Sequence, residues 1–181
     1  MSFLRDYLVQ KRQALLERRA RIAEGKLGPA PLQAKVTAEG RSGVRRIRIR
    51  DFQIISDSPP DFAGYNLGPS SPELQLGVLG SCLNHSYLIQ AAALEVPFDS
   101  IEVEVEAFID PRAGSPGFEG VPVYPQNIRY TVRIESPASS DEIEALRSKV
   151  EKACPILNLL RNPQSIDGRI ERVPALAAAA E

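Results

Sequence analysis

Cys82 and Cys154 are the only thiols in this chain, and His85 is its only histidine. In a reducing compartment two such cysteines are reduced thiols, a redox couple or ligands more readily than a permanent cross-link. The plain alternative is that both are small core hydrophobes, a common fate of cysteine. A redox couple asks for more: a thiolate nucleophile, a group that lowers its pKa, and a second thiol close enough to resolve the oxidised sulfur. Arg41 in the turn Gly40-Arg41-Ser42-Gly43, the arginine-rich stretch that follows, and His85 three residues after Cys82 are available to hold an anion. Cys82, His85 and Cys154 also make three potential metal ligands. A structural zinc site uses four, and no further Cys or His is present to complete it. The expectation is therefore no metal and no cofactor. No Ser-His-Asp order, phosphate-binding glycine loop or dinucleotide fingerprint is found either.

The thiols must be positioned by helices. The stretch 74–94 holds no Lys, Arg, Asp or Glu in a chain that is 25% charged. Val78, Leu79, Cys82, Leu83, Ser86 and Ile89 recur at helical spacing, and apolar residues also occupy the opposite side. A helix that is apolar nearly all round belongs inside a fold. Ser70 or Ser71 can cap it, and Pro72 suits its first turn. A second amphipathic helix opens at Ser139 with Glu142 as a capping box and ends at Cys154, because Pro155 follows. Both cysteines thus lie on inward stripes.

The remaining elements read as strands and loops. Residues 32–38 alternate apolar and polar with one buried face expected, and residues 44–55 form a second strand region after the glycine-rich turn. Ile101, Val103 and Val105 alternate with Glu102, Glu104 and Glu106, and Tyr130, Val132 and Ile134 alternate with Arg129, Thr131 and Arg133. These rows can pair across neighbouring strands, with the row Arg46, Arg48, Arg50 able to join them. A last strand is expected over 168–173. The loops 56–71 and 110–126 are long enough to be functional, and Phe62, Tyr65, Phe118 and Tyr124, with His85, are candidates to line an apolar pocket. The result is an α+β sandwich of antiparallel strands with helices packed on one sheet face. One sheet covers only one side of the central helix, so a dimer would bury the rest.

Residues 1–31 carry a basic amphipathic helix and linker, expected to lie over the body or a partner subunit. Residues 32–174 form the main domain and 175–181 a frayed tail. A hydrophobic content of 43% and a net charge of −1 describe an ordinary globular protein, with no global argument for nucleic-acid or membrane binding. The start of the chain is a charged amphipathic stretch rather than a signal peptide, so the expected location is cytoplasmic.

Three segments together resemble the osmotically inducible protein C / organic hydroperoxide resistance (OsmC/Ohr) family. Thr37-Ala38-Glu39-Gly40-Arg41-Ser42-Gly43 is similar to its early Gly-Arg-x-Gly turn. Ser71-Pro72-Glu73-Leu74 through Gly80-Ser81-Cys82 is similar to its Pro-x-Glu-Leu-Leu…Gly-Ser-Cys helix, and Cys154-Pro155-Ile156 to its Cys-Pro-Val signature. The resemblance implies an intertwined homodimer with active sites at the subunit interface. It also implies reduction of organic hydroperoxides at the expense of a thiol or dithiol, a lipoyl-type donor among them. Cys82 would be the peroxidatic thiolate, Cys154 the resolving thiol, and Arg41 the cation that holds the thiolate and orients the peroxide. The hydroperoxide-resistance branch fixes that arginine with a carboxylate ten positions before the reactive cysteine. Here that position is Pro72, and Glu73 sits one residue later. On a helix that step rotates the side chain by about 100°, which leaves Glu73 a looser version of the role or none. The alternative reading is a non-catalytic dimeric binding or assembly module of the same fold.

Overall fold

The computed structural model describes residues 3–173. The chain runs α1 (Phe3–Ala23), β1 (Lys35–Ala38), β2 (Arg45–Ile49), β3 (Phe52–Ser56), a 3-10 turn (Pro60–Phe62), α2 (Ser71–Leu94), β4 (Ser100–Phe108), β5 (Gln126–Glu135), α3 (Ser140–Ala153) and α4 (Pro155–Arg161). The architecture is α+β with antiparallel strands in two sheets, β1-β2-β3 and β4-β5.

The long helix α2 is the centre of the core. Leu79, Leu83, Tyr87, Ala91 and Ala92 are buried against Phe98, Leu146, Val150, Cys154 and Leu157. The inward residues of β4 and β5, including Val103, Val105, Tyr130 and Val132, cover another side. Gly80 lets α2 approach β4 closely, because a Cβ there would stand 3.3 Å from Val105 Cγ2. The glutamates of β4 stay on the wet face: Glu102 is directly opposite Arg133, and the Arg133 guanidinium reaches Glu102 and Glu104 at 3.2 and 2.8 Å.

The helix α1 packs along α2 in the antiparallel sense. Arg5, near its start, pairs with Asp99 beyond the end of α2, and Arg12 donates to the Ala92 and Ala93 carbonyls at 3.2 and 3.0 Å. Leu8 is buried in the core and Leu4 packs against it, whereas Ile22 is exposed.

Several local expectations differ from the structure. The region 44–55 is a hairpin of two strands, reversed at Arg50, which takes φ 54° without any glycine or proline to mark the turn. The first strand covers only Lys35–Ala38, because it pairs residue for residue with the short β2. Its expected buried face is open: Val36 is 56% exposed, and Ile54 and Phe52 of β3 on the same sheet face are 42 and 63% exposed. Arg46 pairs with Glu39 inside its own sheet at 2.8 Å instead of joining the glutamates of β4. Residues 168–173 form no strand. The expected tail 175–181 lies outside the described residues.

Candidate active site

The core brings the two sulfurs together. Cys82 and Cys154 are free thiols with their Sγ atoms 3.5 Å apart. A disulfide bond measures about 2.05 Å, so a small shift of either side chain would bring the sulfurs to bonding distance when an oxidant removes the two electrons. Cys82 lies mid-way along α2, half-buried, and Cys154 is fully buried at the junction of α3 and α4.

That junction follows from proline. Pro155 cannot continue α3, so Cys154 leaves the helical region (φ −70°, ψ 113°), closing α3 and opening α4 at once. Its N–H donates to the Val150 carbonyl at 2.8 Å, and the Asn158 side-chain amide donates to the carbonyls of Glu151 and Cys154, each at 2.9 Å. The break is thereby held rather than frayed. It also turns the Ile156 N–H toward the Cys82 sulfur.

The Cys82 thiol has a pKa above the ordinary range. Burial is the largest cause and the neighbouring Cys154 sulfur adds to it; hydrogen bonds from Ile156 N–H and the Ser86 side chain oppose both. None of the groups that act most on this sulfur is a cation. His85 titrates below its ordinary value, first through burial and then through the nearby Lys11 ammonium.

A cavity of about 540 Å³ opens beside Cys82 between α1 and α2. Cys82, His85, Ser86, Ile89 and Gln90 line it from α2, and Lys11, Ala14, Leu15 and Arg18 from α1. The spacing on each helix is that of one face. Ala153 and Pro155 close the end next to Cys154. Sequence reasoning laid α1 over the body or a partner subunit but did not place its residues at the thiol site. The only signal for it was the i, i+4, i+7 placement of Lys11, Leu15 and Arg18.

The other expected site residues lie elsewhere. Arg41 stands exposed in the β1–β2 turn and is not among the cavity-lining residues. Glu73 is the carboxylate of the α2 capping box, accepting the Ser70 N–H and hydroxyl at 2.7 and 2.6 Å, and these bonds, the hydroxyl's first, hold its pKa below the usual value. Phe62, Tyr65 and Tyr124 are 82, 65 and 64% exposed on the two long loops, and Phe118 is stacked by Arg112. Of the expected set, the single chain assembles Cys82, Cys154 and His85. Among the described residues no group of three or more His, Cys, Asp or Glu side chains is arranged to hold a metal ion.

The loop 56–71 is organised by a residue that the sequence did not flag. Asp57 is buried, and its carboxylate accepts N–H bonds from Ser58, Tyr65 and Leu67 at 2.8, 2.9 and 3.1 Å. Burial alone would raise its pKa; the three backbone donors and the Arg45 charge outweigh that and leave it lowered.

A family model described as OsmC-like protein matches residues 64–168, which include both cysteines and more than half of the chain. The chain belongs to the OsmC-like family. The likeness extends to solved structures at low identity. An OsmC-like protein from Mycoplasma pneumoniae has a TM-score of 0.62 at 20% identity, covering 74% of this chain and 89% of its own. An OsmC-like protein from Vibrio cholerae gives 0.55 at 14% identity, with 72 and 93% covered. An organic hydroperoxide resistance protein from Elizabethkingia anophelis gives 0.51 at 14% identity, with 74 and 90% covered. These neighbours share the fold over about three quarters of the chain. Nothing among the curated proteins matches the chain.

Proposed function

We propose that this protein is a thiol-dependent peroxidase that reduces organic hydroperoxides and works as a homodimer. The observation that carries this reading is the 3.5 Å contact between a half-buried thiol on the central helix and a fully buried one at the α3–α4 junction. Two inert core cysteines have no need to meet. The membership of an OsmC-like family, with one neighbour named for hydroperoxide resistance, supports it.

In this mechanism the Cys82 thiolate attacks the terminal oxygen of R–O–O–H. The S–O bond forms as the O–O bond breaks, and the departing alkoxide takes a proton and leaves as the alcohol. The Cys154 thiol then attacks the sulfenic sulfur. The S–S bond forms, the S–O bond breaks, and the hydroxide leaves as water with the Cys154 proton. An external dithiol reduces the disulfide by exchange and is itself oxidised to a disulfide. Ser86 and the Ile156 N–H hydrogen-bond the attacking sulfur.

The thiolate also needs a cation, and the proposed one is Arg41 of a second copy. The open apolar face of the β1-β2-β3 sheet, with Val36, Ile47 and Ile54 directly opposite one another, is the surface on which that copy would sit. In such a dimer Glu73 would orient Arg41, and Phe62, Tyr65, Phe118 and Tyr124 would shape the pocket mouth.

A second reading, a non-catalytic dimeric module, is favoured by one observation: the single chain holds the Cys82 pKa up rather than down. Incubation with cumene hydroperoxide and a dithiol separates the two. The peroxidase reading expects consumption that vanishes in Cys82→Ser, and a Cys82–Cys154 disulfide after peroxide alone. An unmodified Cys82 after excess peroxide, with no turnover under any dithiol, leaves the binding module.

A further inference from the structure

We infer that Lys11 and Arg18 of α1 form an anion subsite in the Cys82 cavity, so that one reactant of the thiol site is an organic anion with an apolar body. That it is a reactant rests on the peroxidase reading; the subsite itself does not. The helix α1 lies outside the residues that carry the family match.

The cavity has two walls of different chemistry. Ala14, Leu15, Ile89, Ala153 and Pro155 offer hydrocarbon, while Lys11 and Arg18 offer positive charge, and no lining residue is acidic. Among the described residues neither cation is in an ion pair; Lys11 lies 5.9 Å above the Tyr7 ring. The other arginines of α1 that touch the body are used structurally. Arg5 pairs with Asp99, and Arg12 holds two carbonyls of α2 together with Glu95. Lys11 is half-buried and Arg18 exposed at the rim; two cations facing a recess without a counter-ion attract a negative ligand, and solvent screens that attraction less at Lys11 than in open water.

Position fits the same reading. Lys11 is close enough to depress the His85 pKa, yet no cation is among the groups that act most on Cys82. The charge therefore does not serve chiefly to ionise the sulfur. From Cys82 to Gln90 the α2 face extends about 12 Å, at 1.5 Å per residue. That length accommodates an apolar body along the cavity beside the sulfur, with Lys11 and Arg18 on the facing wall. The same chemistry could come from a hydroperoxide that carries a carboxylate or from a carboxylate-bearing dithiol.

The test begins without turnover. Iodoacetamide, which is uncharged, should alkylate half-buried Cys82, and octanoate should slow that reaction more than octanamide does. In the double variant Lys11→Gln/Arg18→Gln the octanoate dissociation constant should weaken about tenfold, with octanamide unaffected. Arg19→Gln, which removes a charge of α1 outside the cavity, should leave octanoate protection intact. Each variant is checked for helical content by circular dichroism. Equal protection by acid and amide in the parent overturns the subsite, as does octanoate protection that survives the double variant. A loss of equal size in Arg19→Gln also overturns it, by pointing to diffuse helix charge. The source is then read from kcat/KM for charged against neutral hydroperoxides, and for charged against neutral dithiols. A charged-to-neutral ratio that falls in the double variant identifies the anionic reactant; ratios unchanged for both overturn the reactant assignment. A parent that turns over no peroxide fails the peroxidase reading, while the alkylation result still decides the subsite.

Discussion

At the residue scale the site depends on side chains that hold the α3–α4 junction, because that junction places Cys154. Glu151 accepts a hydrogen bond from the Tyr130 hydroxyl at 2.8 Å and pairs with Arg147 and Arg161. The Tyr130 bond, chiefly, and the two arginines hold the Glu151 pKa below its ordinary value, while burial and the same carboxylate push Tyr130 up to about 12. A carboxylate with a depressed folded-state pKa contributes stability above its unfolded value, and that contribution disappears as pH falls through the folded one. Glu151→Gln should therefore lose about 1 kcal/mol near pH 7, where a charged hydrogen-bond acceptor in a partly exposed site is replaced by a neutral one. Parent and variant should converge at acid pH, once the lowered folded-state value of Glu151 has been passed. Urea denaturation at the two pH values measures this, and an equal gap at both would show that packing, not charge, is what Glu151 supplies. The sequence showed the two thiols and their inward stripes, which is why their meeting was legible. It did not show Glu151 as a support, because one glutamate among several on a helix face carries no mark of which tyrosine it will meet.

At the scale of elements, α2 must be held against both β4 and α1 for Cys82 to face Cys154 on one side and the cavity on the other. Gly80 sets the first contact, two residues before Cys82. Gly80→Leu would force a side chain into the space next to Val105, where even a Cβ stands at 3.3 Å. A cost of about 1–3 kcal/mol is expected for such overpacking, together with slower disulfide formation as α2 moves. The second contact centres on Leu8, which is 6% exposed. Leu8→Ala should destabilise by about 2–3 kcal/mol and loosen the cavity wall; a thermal unfolding curve unchanged from the parent would mean that α1 does not pack there. The strands β4 and β5 were legible because period-two rows of Glu against Val and Arg against Ile leave little freedom of register. The β2–β3 reversal was not. Arg50 adopts a positive φ that its neighbours impose, and no glycine advertises it. That α1 would lie over the body was legible from its thin apolar stripe, but its anchoring was not, since Arg12 is held by backbone carbonyls that no sequence pattern displays.

At the scale of the whole molecule the open question is what covers the β1-β2-β3 sheet. Its inner residues Val36, Ile49, Phe52 and Ile54 are 39–63% exposed, an apolar face unusual for a sheet that stands alone in water. A second copy seated there would account for that face and would carry Arg41, in the adjacent turn, toward the other subunit's thiols. If so, dimerisation and thiol activation share one surface. Ile54→Asp should then shift the protein toward monomer in sedimentation velocity, and the Cys82 alkylation rate at neutral pH should fall with it. A mixture of subunits locates Arg41 more directly. Cys82→Ser and Arg41→Ala homodimers should each be inactive. Unfolded together and refolded, they form hybrids in which one site joins the intact Cys82 of one chain to the intact Arg41 of the other. Recovered peroxidase activity in the mixture is expected if Arg41 acts across the interface. If Arg41 served the thiol of its own chain, every site in the hybrid would lack one of the two groups, and mixing would restore nothing.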